Sequence, residues 1–293
     1  MKNSRQDRIM SVLFYLFTAC FAAACLYPFW LVLSSSATAE VTLLRDGYRL
    51  FPEQYSLAAY KAIFSSSTIP DAYLITIFIT VAGTALSLLV TSMAAYALSG
   101  RRLRFAPHIS LFFYFTMLFS GGMVSSYILI TKYLHLGNSI WVYILPALLS
   151  PWNMFLMRNF FNDIPKELFE SAKLEGAGEV VILRSIVLPL SLPALATIGL
   201  FYALGYWSSW MPAMLYIDDT KLFSLQYIIM QIIRNVDMAQ NIAVAGAQST
   251  AQIAPAYTVR LATAIVTVGP IIFLYPFLQR YFVGGLKVGA IKG

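Results

Sequence analysis

The chain has 293 residues, of which 59% are hydrophobic and 11% charged. A soluble domain cannot hide so many apolar side chains in one core and still present a charged surface to water, so this composition excludes a soluble globular protein and points to an integral membrane protein. The formal net charge is +7, and its meaning depends on where the basic residues fall along the chain.

A helix needs about 20 apolar residues to cross the hydrocarbon core. Six runs qualify, at 9–33, 72–98, 108–130, 140–157, 194–217 and 261–278, and none contains Asp, Glu, Lys or Arg. Charge-free runs insert without a compensating partner, since a central charge costs about 2.5–3.5 kcal/mol on insertion scales. The predicted fold class is therefore an all-α integral membrane protein of six transmembrane helices, forming one domain over residues 1–293.

Lys2, Arg5 and Arg8 precede the first run, and Ala37, Thr38 and Ala39 after it imitate a signal-peptidase site. The run is longer than a signal-peptide core of roughly 7–15 residues, which favours a retained first helix over a cleaved leader. Cys20 and Cys25 lie five apart in this run and point in different directions on a helix. They read as small apolar filler rather than a disulfide.

The basic residues set the orientation. Arg101, Arg102 and Arg104 crowd the short turn after the second run, with Arg158, Lys166, Lys173 and Arg184 after the fourth. This bias places those segments and both termini in the cytoplasm. On the other side, Arg45, Arg49, Lys61, Lys221 and Arg234 are matched by Glu40, Asp46, Glu53, Asp218 and Asp219. The net charge thus reflects topology, with no indication of a nucleic-acid partner. Of the two long outer segments, 34–70 reads as loop with a short helix near 57–64. The other, 218–259, holds an apolar helix lying on the membrane or lining a vestibule.

Within the spans, Gly83 with Ser87, and Ser92 with Ala94 and Ala95, give the second helix a small-residue face suited to close helix packing. Tyr206, Trp207 and Trp210 are candidates for a substrate pathway, because aromatic rings stack on sugar rings. They are equally suited to anchoring a helix at the membrane interface. His108 and His135 stand alone near helix ends, and no metal site is expected.

The most charged segment is 170–189, part of a loop at 163–189 between the fourth and fifth runs. Asp163 and Pro165 are helix-start signals, and Lys166 with Glu170, and Glu170 with Lys173, sit at helical pair spacings. Ile164, Leu168 and Ala172 form an apolar ridge suited to a groove in another protein. Gly176 and Gly178 permit a tight reversal, and a second helix from Glu179 is expected to end at Pro189 and Pro193.

Glu170, Ser171 and Ala172, then Gly176, then Ile186, Val187, Leu188 and Pro189 resemble in their spacing the EAA loop of binding-protein-dependent ABC importers. Ser171 departs from the usual alanine, a small change. The resemblance extends to the run ending in AAYALSG at Gly100 and to the ending YPFLQRYFVGGLKVGAIKG, both similar to MalG-like carbohydrate permeases. It implies a type I ABC importer core, with a docking face of Leu168, Glu170, Ser171, Ala172, Glu175 and Gly176 toward an ATPase. Ile186, Leu188 and Pro189 shape the loop, and the tail 284–293 extends to the ATPase interface. It also implies a second homologous permease, two ATPase subunits that carry ATP and magnesium, an extracytoplasmic sugar-binding protein, and a place in the cytoplasmic (inner) membrane as a multi-pass protein. The stretch 119–146 looks closest to a subgroup for oligosaccharides cut from complex polysaccharides, including the alginate importer, which makes a uronate-containing oligosaccharide the expected cargo.

The alternative is an ion-coupled secondary transporter of a small solute, but such proteins rely on intramembrane carboxylates or broken helices with ion sites, and the six runs carry no charge. The chain has no phosphate-binding Gly-x-x-x-x-Gly-Lys loop, no His-Glu-x-x-His pair and no Gly-x-Ser-x-Gly elbow, so a non-hydrolytic subunit is expected.

Overall fold

The computed structural model describes residues 5–65, 68–100, 103–244 and 257–269. In chain order the helices are α1 (Arg5–Ser36), α2 (Glu40–Asp46), α3 (Ala58–Phe64), α4 (Thr68–Leu98), α5 (Ala106–Leu118), α6 (Gly122–Ile128) and α7 (Trp141–Ile144). There follow α8 (Pro151–Asn162), α9 (Lys166–Leu174), α10 (Glu179–Ile182), α11 (Leu188–Leu190), α12 (Leu192–Trp207), α13 (Met211–Tyr216), α14 (Leu225–Val244) and α15 (Tyr257–Gly269). Among the described residues the only β pairing is an isolated bridge between Thr38 and Tyr55.

Two helices are continuous, long and apolar enough to cross a membrane, Ile9–Ser36 within α1 and all of α4. Two further apolar helix pairs are sharply bent. α5 and α6, with the π turn Leu129–Tyr133 that extends α6, meet at 113°, and the segment Glu179–Leu190 meets α12 at 84°. The 108–130 run is thus broken where Gly122 takes φ +82°, a conformation open to glycine and strained for other residues. The 140–157 run divides into α7, the 3₁₀ turn Leu145–Ala147 and α8, at Pro146 and Pro151. The 194–217 run divides into α12 and α13 at Ser208 and Ser209. Of the 261–278 run, only the part within α15 lies among the described residues.

The described chain falls into two compact units. The first comprises the described parts of residues 1–67 and 231–270. Here the end of α1 is fastened to the segment that follows it. Trp30 Nε1 donates to Leu50 O (3.0 Å), Ser34 Oγ donates to Arg49 O (2.9 Å), and Ser36 Oγ lies 2.7 Å from Tyr60 Oη. Glu40 caps α15 from a distance, accepting from the N–H groups of Tyr257 (2.9 Å) and Thr258 (2.8 Å) and from Thr258 Oγ1 (2.6 Å). A carboxylate at a helix N-terminus satisfies orphan donors and complements the helix dipole. Cys20 and Cys25 are free and exposed on α1.

The second unit, the described parts of 68–230, is organised on the antiparallel seam of α4 and α12. Gly83 lies against the ring of Tyr206, so closely that a Cβ there would stand 2.7 Å from Tyr206 Cζ. Ser87 Oγ donates to Tyr206 Oη (2.8 Å), which donates to Ile144 O (3.3 Å). One turn on, Thr91 Oγ1 lies 2.7 Å from Tyr202 Oη, which accepts the N–H of Ser150 (3.0 Å). The Gly83 and Ser87 part of the small face expected on the second helix is therefore the groove that admits Tyr206, with Thr91 meeting Tyr202 beside it, and both hydroxyls find partners in an apolar setting where an unpaired one is costly. At one end of the seam, Thr76 Oγ1 accepts the N–H of Leu225 (2.9 Å), and at the other the N–H of Gly100 donates to Asn162 Oδ1 (2.9 Å).

Candidate functional site

The 163–189 segment lies at the Gly100 end of α4. Its first part is α9, entered through Pro165, whose extended backbone (ψ 134°) turns the chain after α8. Asp163 does not cap α9 as its position suggests. It terminates α8, its N–H bonded to Asn159 O (3.2 Å) and Phe160 O (3.3 Å), and the N-terminus of α9 has no side-chain cap.

The C-terminus of α9 is sharply defined. Gly176 has φ +80°, its N–H donates to Lys173 O (3.0 Å), and the N–H of Ala177 donates to Ala172 O (2.9 Å). These paired bonds around a left-handed glycine form a Schellman motif, which uses up the last carbonyls of the helix and reverses the chain. Gly178 takes φ −73° and ψ 160°, open to any residue, so the reversal rests on Gly176 alone.

α9 turns one face inward. Ala172 and Ile164 are buried and Phe169 is half-buried, whereas Leu168, Glu170, Ser171, Glu175 and Gly176 are exposed. The expected ridge of Ile164, Leu168 and Ala172 is thus divided, its two ends packed on the protein and Leu168 in the open. Leu174, which the ridge pattern passes over, is 90% exposed. Its signal in the sequence is an apolar side chain off the buried stripe of a short, charged helix. A concavity of about 510 Å³ lies beside α9, lined among others by Gly100, Asn162, Lys166, Glu170 and Lys173.

Beyond the reversal, the helix from Glu179 ends between Pro189 and Pro193, as expected, one residue past Pro189. It widens into a π turn over Leu183–Val187, where the N–H of Leu188 reaches Leu183 O, and continues as α11 through Pro189 to Leu190. The wider turn makes room for the ring of Pro189 and tolerates its missing N–H. Ile182 and Val187 are fully buried, Ile186 and Leu188 half-buried and Pro189 exposed.

The aromatic candidates sit at the far end of α12. Tyr206 is buried and engaged through its hydroxyl, a post between helices as much as a ring beside a pathway. Trp207 is buried, in edge contact with Tyr73 (6.4 Å), and its Nε1 has no hydrogen-bond partner among the described residues. Trp210 is half-buried at the break before α13. The tail 284–293 lies outside the described residues. Among the described residues no group of three or more His, Cys, Asp or Glu is placed to hold a metal.

Apolar helices long enough to cross a membrane, with a short, sharply capped polar helix exposed at the end of one of them, define a membrane protein. The chain belongs to the family of binding-protein-dependent transport system inner membrane components, whose profile matches residues 102–288. It is 38% identical to the polygalacturonan/rhamnogalacturonan transport system permease protein YtcP of Bacillus subtilis, over 98% of this chain and 100% of that one. It is 29% identical to the arabinooligosaccharides transport system permease protein AraQ of Halalkalibacterium halodurans, over 97% of this chain and 98% of that one. A chain in the crystal structure of a bacterial ABC transporter involved in the import of the acidic polysaccharide alginate superposes with a TM-score of 0.81 at 29% identity, covering 95% of this chain and 98% of that one. The chain is thus a permease subunit of an ABC importer, as its loop suggested.

Proposed function

We propose that this permease, with a second homologous permease, forms the inner-membrane pathway for a uronate-containing oligosaccharide. The chain crosses the membrane six times with both termini in the cytoplasm. An extracytoplasmic binding protein delivers the sugar, and two partner ATPases hold and hydrolyse ATP with magnesium. The names of two similar proteins, one for polygalacturonan and rhamnogalacturonan and one for alginate, favour the acidic sugar.

The observation that carries the coupling role is the exposed, Schellman-terminated α9. Glu170, Ser171, Glu175, Leu168 and Leu174 face the ATPase, Gly176 ends the helix at the required place, and Ala172 sets the distance of the helix from the bundle. Ile186, Leu188 and Pro189 carry the chain from the loop into α12. On the far side, Trp207 and Trp210, with Tyr206 behind them, border the sugar's path. ATP and loaded binding protein drive alternating access by favouring the same conformation, since a partner with equal affinity for both states shifts nothing.

The test is copurification from detergent with the products of neighbouring genes. The wild type brings an ATPase and a second permease, whereas Glu170→Arg and Gly176→Asp lose the ATPase and keep the permease. A wild type that purifies alone and is indifferent to both changes would sink the reading.

A further inference from the structure

Glu179 lies outside the resembling motif positions, yet it is where three parts of the cytoplasmic end meet. Its Oε2 accepts a 2.5 Å hydrogen bond from Tyr96 Oη, and its Oε1 lies 2.8 Å from Lys173 Nζ. Tyr96 is buried near the end of α4, Lys173 belongs to the last turn of α9, and Glu179 itself begins α10.

The Lys173 pair alone would carry little, because both side chains are about half exposed (53% and 50%) and such pairs contribute weakly in water. The Tyr96 bond is different in kind. A short bond from a buried hydroxyl to a carboxylate is charge-assisted, and it fixes the carboxylate against a helix that cannot shift without disturbing the seam. The covalent route from α9 to α10 is only 175–178, with glycine at 176 and 178. Glu179 bypasses this segment. From Tyr96, α4 leads to the Thr91–Tyr202 and Ser87–Tyr206 bonds with α12.

We infer that Glu179 is a positioning residue that joins the docking helix α9 to α4 through Lys173 and Tyr96, so that displacement of α9 moves the α4–α12 seam. The inference rests on the coupling role proposed above and adds a residue and a direction to it. Binding to the ATPase is left to α9. What Glu179 governs is whether that binding is felt in the membrane.

The experiment uses the whole importer in proteoliposomes, with binding protein loaded with oligogalacturonate, and compares wild type, Tyr96→Phe, Glu179→Ala, the double variant and Glu179→Gln. The expected result is that every variant copurifies with the ATPase and retains basal hydrolysis. Stimulation by loaded binding protein and sugar uptake fall together by about tenfold in either single variant, fall no further in the double, and recover only in part in Glu179→Gln, which keeps an acceptor for Tyr96 but gives up the ion pair with Lys173. Wild-type coupling in both single variants, or losses that multiply in the double, would overturn the link. Loss of the ATPase from the Glu179→Ala complex would also overturn it, by placing Glu179 in the docking face. A wild type that copurifies without an ATPase, or is not stimulated by any loaded binding protein, overturns the coupling role itself before any variant is compared.

Discussion

At the residue scale, the two loop glycines make a controlled comparison. Neither has any atom within 4 Å of where a Cβ would stand, so space does not separate them, and only Gly176 has a positive φ. A left-handed residue with a side chain costs about 1–2 kcal/mol, while a residue in extended backbone costs nothing of the kind. Gly176→Ala is therefore expected to loosen the end of α9 and speed tryptic cleavage at Lys173, Gly176→Asn to do so less, and Gly178→Ala to leave cleavage unchanged. Equal effects at the two glycines would contradict the Schellman assignment. A second residue-scale prediction concerns acid. The Arg45 side chain donates two hydrogen bonds to Asp46 (2.9 and 3.0 Å) and holds its carboxyl below the ordinary value of 3.8. A carboxyl lowered in the folded state stabilises above its unfolded pKa and loses that contribution as pH falls through the folded one. The unfolding midpoints of wild type and Asp46→Asn should thus differ slightly at neutral pH and converge below 3.8. A gap that widens on acidification would reverse the sign.

At the element scale, the α4–α12 seam predicts an order of damage. A Cβ at Gly83 would meet three ring atoms of Tyr206 at 2.7–2.9 Å, and that ring is held by two hydrogen bonds. A Cβ at Gly199 would meet Leu88 Cδ1 at 3.1 Å, the free end of a flexible chain. Overpacking a fixed neighbour costs about 1–3 kcal/mol, so Gly83→Ala should lower thermal stability in detergent clearly more than Gly199→Ala. Tyr206→Phe removes both of these bonds, each of a kind worth about 0.6 kcal/mol inside membranes, and should still fall below Gly83→Ala. The sequence shows the small face of α4 because periodicity is local. It does not show which ring fills that face, since Tyr206 meets Ser87 across 119 positions. The helix breaks escape for another reason. Hydropathy sums over a window, and Gly121–Gly122, Pro146 and Ser208–Ser209 leave each run apolar while interrupting it. The reversal at Gly176 is legible because a left-handed helix end selects glycine, but the extended Gly178 looks the same in the sequence.

At the scale of the whole molecule, an exposed leucine means little by itself, since folded proteins expose much apolar surface. Leu174 differs because it protrudes from a helix whose other contacts are settled, Ala172 and Phe169 against the protein and Lys173 on Glu179. Burying a leucine on association contributes about 1.5–3 kcal/mol, equivalent to about a 10- to 100-fold change in affinity. If α9 is where the ATPase seats, Leu174→Ser should weaken ATPase association by that factor, measured by titrating purified ATPase onto the permease pair in nanodiscs. Pairing with the second permease should be unaffected, because the change adds no strain and leaves the helix end intact. An affinity equal to wild type would mean that the ATPase grips only the polar face of α9 at Glu170, Ser171 and Glu175. A loss of both partners would mean that Leu174 supports the fold, contrary to its 90% exposure.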